Sequence, residues 1–143
     1  LSPAKGVKHS HILKNVRMLG CCSRQAAINS MIPFDDFKKL ELKVGKIASA
    51  ERVDDSEKLL KLKIDIGEKN AADLPAVRQI IAGIGKHYQP ESLIGQEIVI
   101  VANLEPKTIM GLESQGMLLC ADTAEGPVLL RPEKEVAPGA EIC

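Results

Sequence analysis

Residues Pro90–Ala102 read PESLIGQEIVIVA. Proline opens this segment where a helix needs no N–H, and Gly95 closes it, so Pro90–Gly95 predicts a short helix. Glu97–Ala102 (EIVIVA) is apolar, β-branched and too short for a core helix, and predicts a buried strand. A single helical turn feeding a buried strand is the feature that separates the possible folds. A doubly wound sheet needs helices and strands in repeated alternation, and no such repeat surrounds this segment.

Upstream, Leu40, Leu42, Val44 and Ile47 mix with Glu41, Lys43 and Lys46, which predicts a half-buried strand with Gly45 as a register-shifting bulge. Asp54-Asp55-Ser56-Glu57 predicts a turn. Leu60, Leu62, Ile64 and Ile66 alternate with Lys61, Lys63 and Asp65, a clean period of two. Gly67–Pro75 is a polar loop, with extra residues at Asn70–Ala76, and Val77–Ala82 a third strand. Downstream, Gly116–Ala121 and Gly126–Leu130 are further strands, and Val136–Ile142 a tail. Phe34–Lys39 is a helical turn with both phenylalanines on one side. The expected fold is all-β: a five-stranded OB-fold barrel with short flanking helices and extra C-terminal strands. Periodicity alone leaves a small sandwich open.

The 143 residues suffice for one domain with a real core. Phe34, Phe37 and Tyr88 are the only aromatics, which argues against a nucleic-acid reader built on stacking platforms. The formal charge is zero but unevenly placed. Residues 1–33 carry Lys5, Lys8, Lys14, Arg17 and Arg24 and no acid, leaving residues 34–143 at −5. The division is a basic extension at 1–33, expected to be disordered apart from a helix at Arg24–Ile28, and a domain at 34–143. Met31 is the expected natural start, with 1–30 as an upstream segment.

Cys21, Cys22, Cys120 and Cys143 show no CxxC spacing and no histidine at a ligand-like offset, so no metal site is expected, and Cys120 reads as a core residue. No phosphate-binding glycine motif and no nucleophile elbow occurs, so no catalytic residue and no cofactor is expected. His87 reads as a surface loop residue. No run approaches the ~20 apolar residues of a membrane span. The stretch between the last two core strands, Val101–Ala121, holds Asn103, Lys107, Met110, Glu113, Ser114 and Gln115, with Gly111 and Gly116 as turn residues. A polar loop carried by rigid strands is where binding concentrates.

Six ordered segments resemble the tRNA-binding domain family. They are Leu42-Lys43-Val44-Gly45-Lys46-Ile47, Ser56–Leu62 (SEKLLKL), Arg78–Ile84 (RQIIAGI), Tyr88–Gly95 (YQPESLIG), Val101–Lys107 (VANLEPK) and Met110–Met117 (MGLESQGM). The family commonly has Asp-Leu-Arg-Val-Gly where Glu41-Leu42-Lys43-Val44-Gly45 stands here. Lysine keeps the charge and loses the planar fork. The resemblance implies a noncatalytic tRNA-binding module acting with an aminoacyl-tRNA synthetase. Methionyl-tRNA synthetase is the expected partner, with this chain its beta subunit or detached C-terminal domain. A cytoplasmic homodimer is also implied. Lys43, Lys46, Lys58, Lys61, Arg78 and Lys107 are the bases available for phosphates, Asn103, Ser114 and Gln115 for sugar or base edges, and Met117 for a base face. Each has a plainer reading as well. The strand lysines suit a solvated face, Lys58 suits pairing with Glu57 or Asp54, Asn103 suits capping a turn, and Ser114 and Met117 suit packing. A docking module that touches no RNA is the competing function, favoured by the acidic body.

Overall fold

The computed structural model describes residues 31–143. The expectations for residues 1–30 lie outside the described residues. The cleanest alternation in the sequence becomes the centre of the sheet. Strand β2 (Leu60–Lys69) buries Leu60, Leu62, Ile64 and Ile66 on one face. It pairs antiparallel with β1 (Leu42–Arg52) and with β3 (Pro75–Ala82). β1 is long enough to serve two neighbours. Its second half, Lys46–Arg52, pairs with β2, and its first, Leu42–Lys46, pairs with β4 (Glu97–Val101). β4 then pairs with β7 (Met117–Leu118), giving the order β3-β2-β1-β4-β7.

The sheet curls around a core of aliphatic side chains from every strand, among them Ile47, Leu62, Ile80, Ile98, Ile100 and Leu118. Tyr88 and Cys120 pack against it. Helix α2 (Pro90–Leu93) sits between β3 and β4 as the sequence predicts, with Pro90 and Leu93 buried. It is joined to β1 by bonds from Gly95 N–H to the Ile47 carbonyl and from Ile47 N–H to the Gln96 carbonyl. Helix α1 (Phe34–Phe37) buries none of its residues. The architecture is the expected OB-type barrel.

Several boundaries differ from expectation. Gly45 is not a bulge. It stands in regular register opposite Ile98, and the irregularity of β1 falls between Ile47 and Ser49. Gly45 occupies an inward position where a Cβ would overlap the Ile64 side chain, so a close approach of strands requires it. The loop at 67–75 is shorter than predicted, because Lys69 pairs with Pro75 and Asn70 builds the turn. The Asn70 Oδ1 accepts the N–H groups of Ala72 and Leu74 at 2.9 and 3.1 Å. The strand at 116–121 is split. Met117–Leu118 stays with β4, while β8 (Cys120–Thr123) forms a hairpin with β9 (Gly126–Leu129). The tail at 136–142 is a strap beside β1, with Val44 N–H bonded to the Ala140 carbonyl and Ile142 N–H to the Leu42 carbonyl.

The inward fit of Gly45 gives an expected outcome. Gly45→Ala forces a methyl against a fully buried isoleucine and costs about 1–3 kcal/mol, the range for overpacking. Urea denaturation reads it as a lowered midpoint with unchanged slope.

Candidate nucleic-acid interface

The segment between β4 and β7 is a β-hairpin rather than the irregular loop the sequence suggests. β5 (Lys107–Ile109) pairs with β6 (Leu112–Ser114). Met110 and Gly111 join them with φ of 48° and 77°, both positive, as a two-residue hairpin turn requires. The signal was present in Gly111 at the second turn position, but Met110 is an uncommon residue at positive φ and hid it.

The hairpin closes the barrel. The free edge of β3 meets the chain at Glu113–Gly116 through side chains as much as backbone. Ser114 Oγ accepts the Ile81 N–H at 3.0 Å and donates to the Gly116 carbonyl at 3.2 Å. The Gln115 N–H donates to the Gln79 carbonyl at 2.8 Å. The Gln79 Nε2 donates to the Glu113 carbonyl at 2.9 Å. Ser114 is 4% exposed, and its hydroxyl is fully used inside the protein.

Beside this seam lies a cleft of about 580 Å³ between the end of β3 and the hairpin. Ile81, Ile84, Ile109 and Leu118 give it apolar walls. Asn103, Leu104, Glu105, Lys107 and Met117 are its exposed lining residues. Sequence reasoning did not single out Glu105 or the apolar walls, because a buried isoleucine in a strand carries no mark of facing a ligand. The cleft lies against β3 and the β4–β5 connection, the region OB-folds use for oligonucleotides.

The structure brings Asn103, Lys107, Ser114 and Met117 together at this cleft, with Gln115 beside them in the seam. Asn103 also fixes the root of the hairpin. Its Oδ1 accepts the Glu41 N–H at 2.8 Å and its Nδ2 donates to the Lys39 carbonyl. Lys61 is on the outer face of β2, directly opposite Ile81 and paired with Glu51 at 2.7 Å. Lys58 is exposed in the β1–β2 turn, next to residues that Arg52 holds in place by bonds to the Gly85 carbonyl and Gln89 Oε1. Lys46 is exposed away from the cleft, among Glu97, Arg131 and Lys134. Lys43 and Arg78 face inward. Lys43 stands opposite Ile100 and pairs with Glu41; Arg78 stands opposite Ile64 and pairs with Glu68.

A family model described as "Putative tRNA binding domain" matches residues 42–141. The chain belongs to this tRNA-binding domain family. It is 54% identical over 112 residues to a methionine–tRNA ligase from Methanothrix thermoacetophila, a match covering 78% of this chain and 16% of that enzyme. It is 46% identical over 117 residues to the ligase of Thermotoga maritima, covering 82% of this chain and 18% of that enzyme. The chain thus spans less than a fifth of the length of these relatives. Among solved structures, a MetRS related protein from Pyrococcus horikoshii is 36% identical with a TM-score of 0.71, covering 80% of this chain and 99% of that one. The chaperone CsaA from Bacillus anthracis is 36% identical with a TM-score of 0.68, covering 80% of this chain and all of that one.

Two of the strand lysines are paired with carboxylates. Lys43 bonds to Glu41 and, with its charge, holds that carboxyl below the usual glutamate range, with a smaller contribution from Arg78. Lys61 does the same to Glu51. Both carboxyls bind protons more weakly folded than unfolded. The stability they add is present above the ordinary glutamate value of about 4.3 and is lost as pH falls through the depressed values. Both groups are solvent-exposed, so the effect is small. Thermal melts of Glu41→Gln/Glu51→Gln are expected to decline less steeply below pH ~4.3 than the parent.

Proposed function

We propose that this domain binds folded tRNA at the hairpin cleft, without catalysis, and serves a methionyl-tRNA synthetase as its beta subunit or detached C-terminal domain. The observation that carries this is the cleft itself: apolar walls with room for an unstacked base, beside an exposed Lys107 that has no ion pair among the described residues and is open to a phosphate. Membership of the tRNA-binding domain family and similarity to methionine–tRNA ligases support it. Lys58 and Lys61 extend the basic face along β2 and the β1–β2 turn, and Lys46 is a more distant phosphate contact. Ser114 and Gln115 serve by holding the cleft wall, and Met117 by covering a base face. With so few aromatics, shape and phosphate contact dominate over base reading.

Such a module raises a partner enzyme's tRNA affinity through effective concentration. A homodimer fits this role, and the exposed Phe34 and Phe37 on α1 are an apolar surface available to a second copy. The setting is cytoplasmic translation; among the described residues no helix is long and apolar enough to cross a membrane. The net charge of −5 on residues 34–143 favours a second reading, a docking module without RNA contact.

Binding of the full chain to tRNA across a salt series, with unstructured RNA of the same length as control, separates the two. The expected result is preference for folded tRNA, and a roughly tenfold loss in Lys107→Glu, which removes one phosphate contact and adds repulsion. Equal binding to both RNAs, or an unaffected Lys107→Glu variant that still binds the synthetase, establishes the docking reading instead.

A further inference from the structure

Arg78 looks like a phosphate contact in sequence, yet its surroundings assign it other work. Its register partner is Ile64, a fully buried core residue, and opposed residues in an antiparallel pair share a face. The side chain therefore leaves β3 on the inward side, at the end of the barrel. There the guanidinium meets the Glu68 carboxylate through two nitrogens, Nη2 at 2.8 Å and Nε at 3.4 Å. Its remaining edge, Nη1, donates to the carbonyl of Ala102. The side chain is 27% exposed, so little of the fork is left for an outside ligand.

Ala102 is the residue at which β4 gives way to the cleft hairpin. Its N–H is bonded to the Glu41 carbonyl at 2.8 Å, and the next residue, Asn103, grips Glu41 and Lys39. The root of the hairpin is thus held from the α1–β1 link on one side and by Arg78 from β3 on the other. Glu68 in β2 orients the guanidinium so that its free edge points at that carbonyl. Planarity matters here: a lysine in place of arginine has no fork to span a carboxylate and a carbonyl together.

We infer that Arg78 is a positioning residue for the tRNA cleft, aimed by Glu68 at the Ala102 carbonyl, and is not itself a phosphate contact. This rests on the cleft being the tRNA site. The two roles predict opposite signs for removing Glu68. If Arg78 contacted phosphate, Glu68→Gln would free the guanidinium, tighten binding, and steepen the salt dependence by roughly 0.7–0.9 in logarithmic slope. If Arg78 positions the cleft, Glu68→Gln loosens the hairpin root and weakens binding, with the slope unchanged.

The test uses the full chain and tRNA over a salt series. The variants are Glu68→Gln, Arg78→Lys and Lys107→Gln, with Glu125→Gln as a remote control for loss of one negative charge. Relative to that control, Glu68→Gln is expected to bind several-fold more weakly at unchanged slope, and Arg78→Lys likewise, although lysine keeps the charge. Lys107→Gln is expected to lower the slope by roughly 0.7–0.9. Amide hydrogen exchange on the free proteins is expected to accelerate across Asn103–Gln115 in Glu68→Gln and Arg78→Lys, while β1 and β2 stay protected. Tighter and steeper binding in Glu68→Gln, full affinity in Arg78→Lys, or unaltered hairpin exchange in both variants would overturn the assignment. If the parent shows no preference for folded tRNA, the tRNA reading fails by itself, and the exchange data still decide whether Arg78 positions the hairpin.

Discussion

The bond from the Ile81 N–H to the Ser114 hydroxyl is the constraint on which the rest of the molecule depends. β3 ends the sheet order, and its outer edge carries N–H groups that need partners. Among the described residues no full strand is laid against it. Ser114, Gln115 and the Glu113 carbonyl supply the partners instead, from a segment whose backbone is turning at Gly116. A buried N–H left unsatisfied costs about 1–3 kcal/mol, so the hairpin is not a free loop. Barrel closure and cleft formation are accordingly one event. The segment that completes the hydrogen bonding of β3 is also the wall of the cavity beside it.

Charge at the two ends of the barrel follows a common rule. The inward rows of β1 and β3 are aliphatic through the middle and become basic where the barrel opens. Arg52 stands at one end, bonded to the Gly85 carbonyl and Gln89. Lys43 and Arg78 stand at the other, paired with Glu41 and Glu68. Arg52 and Arg78 also bond loop carbonyls, those of Gly85 and Ala102, where the sheet no longer does. The consequence for function is a division among the basic residues. Arg52 and Arg78 in the inward rows bond loop carbonyls, while Lys58 and Lys107 in the turns and Lys61 on the outer face, beside Glu51, are the bases we propose for an anionic partner.

Much of the fold was legible because period and length agreed. The alternation of Leu60–Ile66, the apolar run at Glu97–Ala102 and the proline-to-glycine frame of α2 each specify one element, and each appears where expected. Gly45 was misread because a bulge and a close strand approach call for the same residue, and only the position of Ile64 distinguishes them. The hairpin at 107–114 was not legible because each of its strands is three residues long, too short for a period of two to show. Of the candidate site, the placement of some residues was legible and that of others was not. Asn103, Lys107, Ser114 and Met117 converge as their motif suggested. Lys43 and Arg78 face inward because strand register, which single-chain periodicity does not encode, sets them opposite Ile100 and Ile64.

We propose that the closing hairpin and the end of β3 form the tRNA-contacting surface. Titrating isotopically labelled full-length protein with tRNA, and following backbone amide shifts, tests it most directly. Perturbations are expected to concentrate at Ile81–Ile84 and Asn103–Leu118, with a second group at the β1–β2 turn around Lys58. Perturbations confined to α1 and residues 136–143, with the hairpin silent, would contradict it.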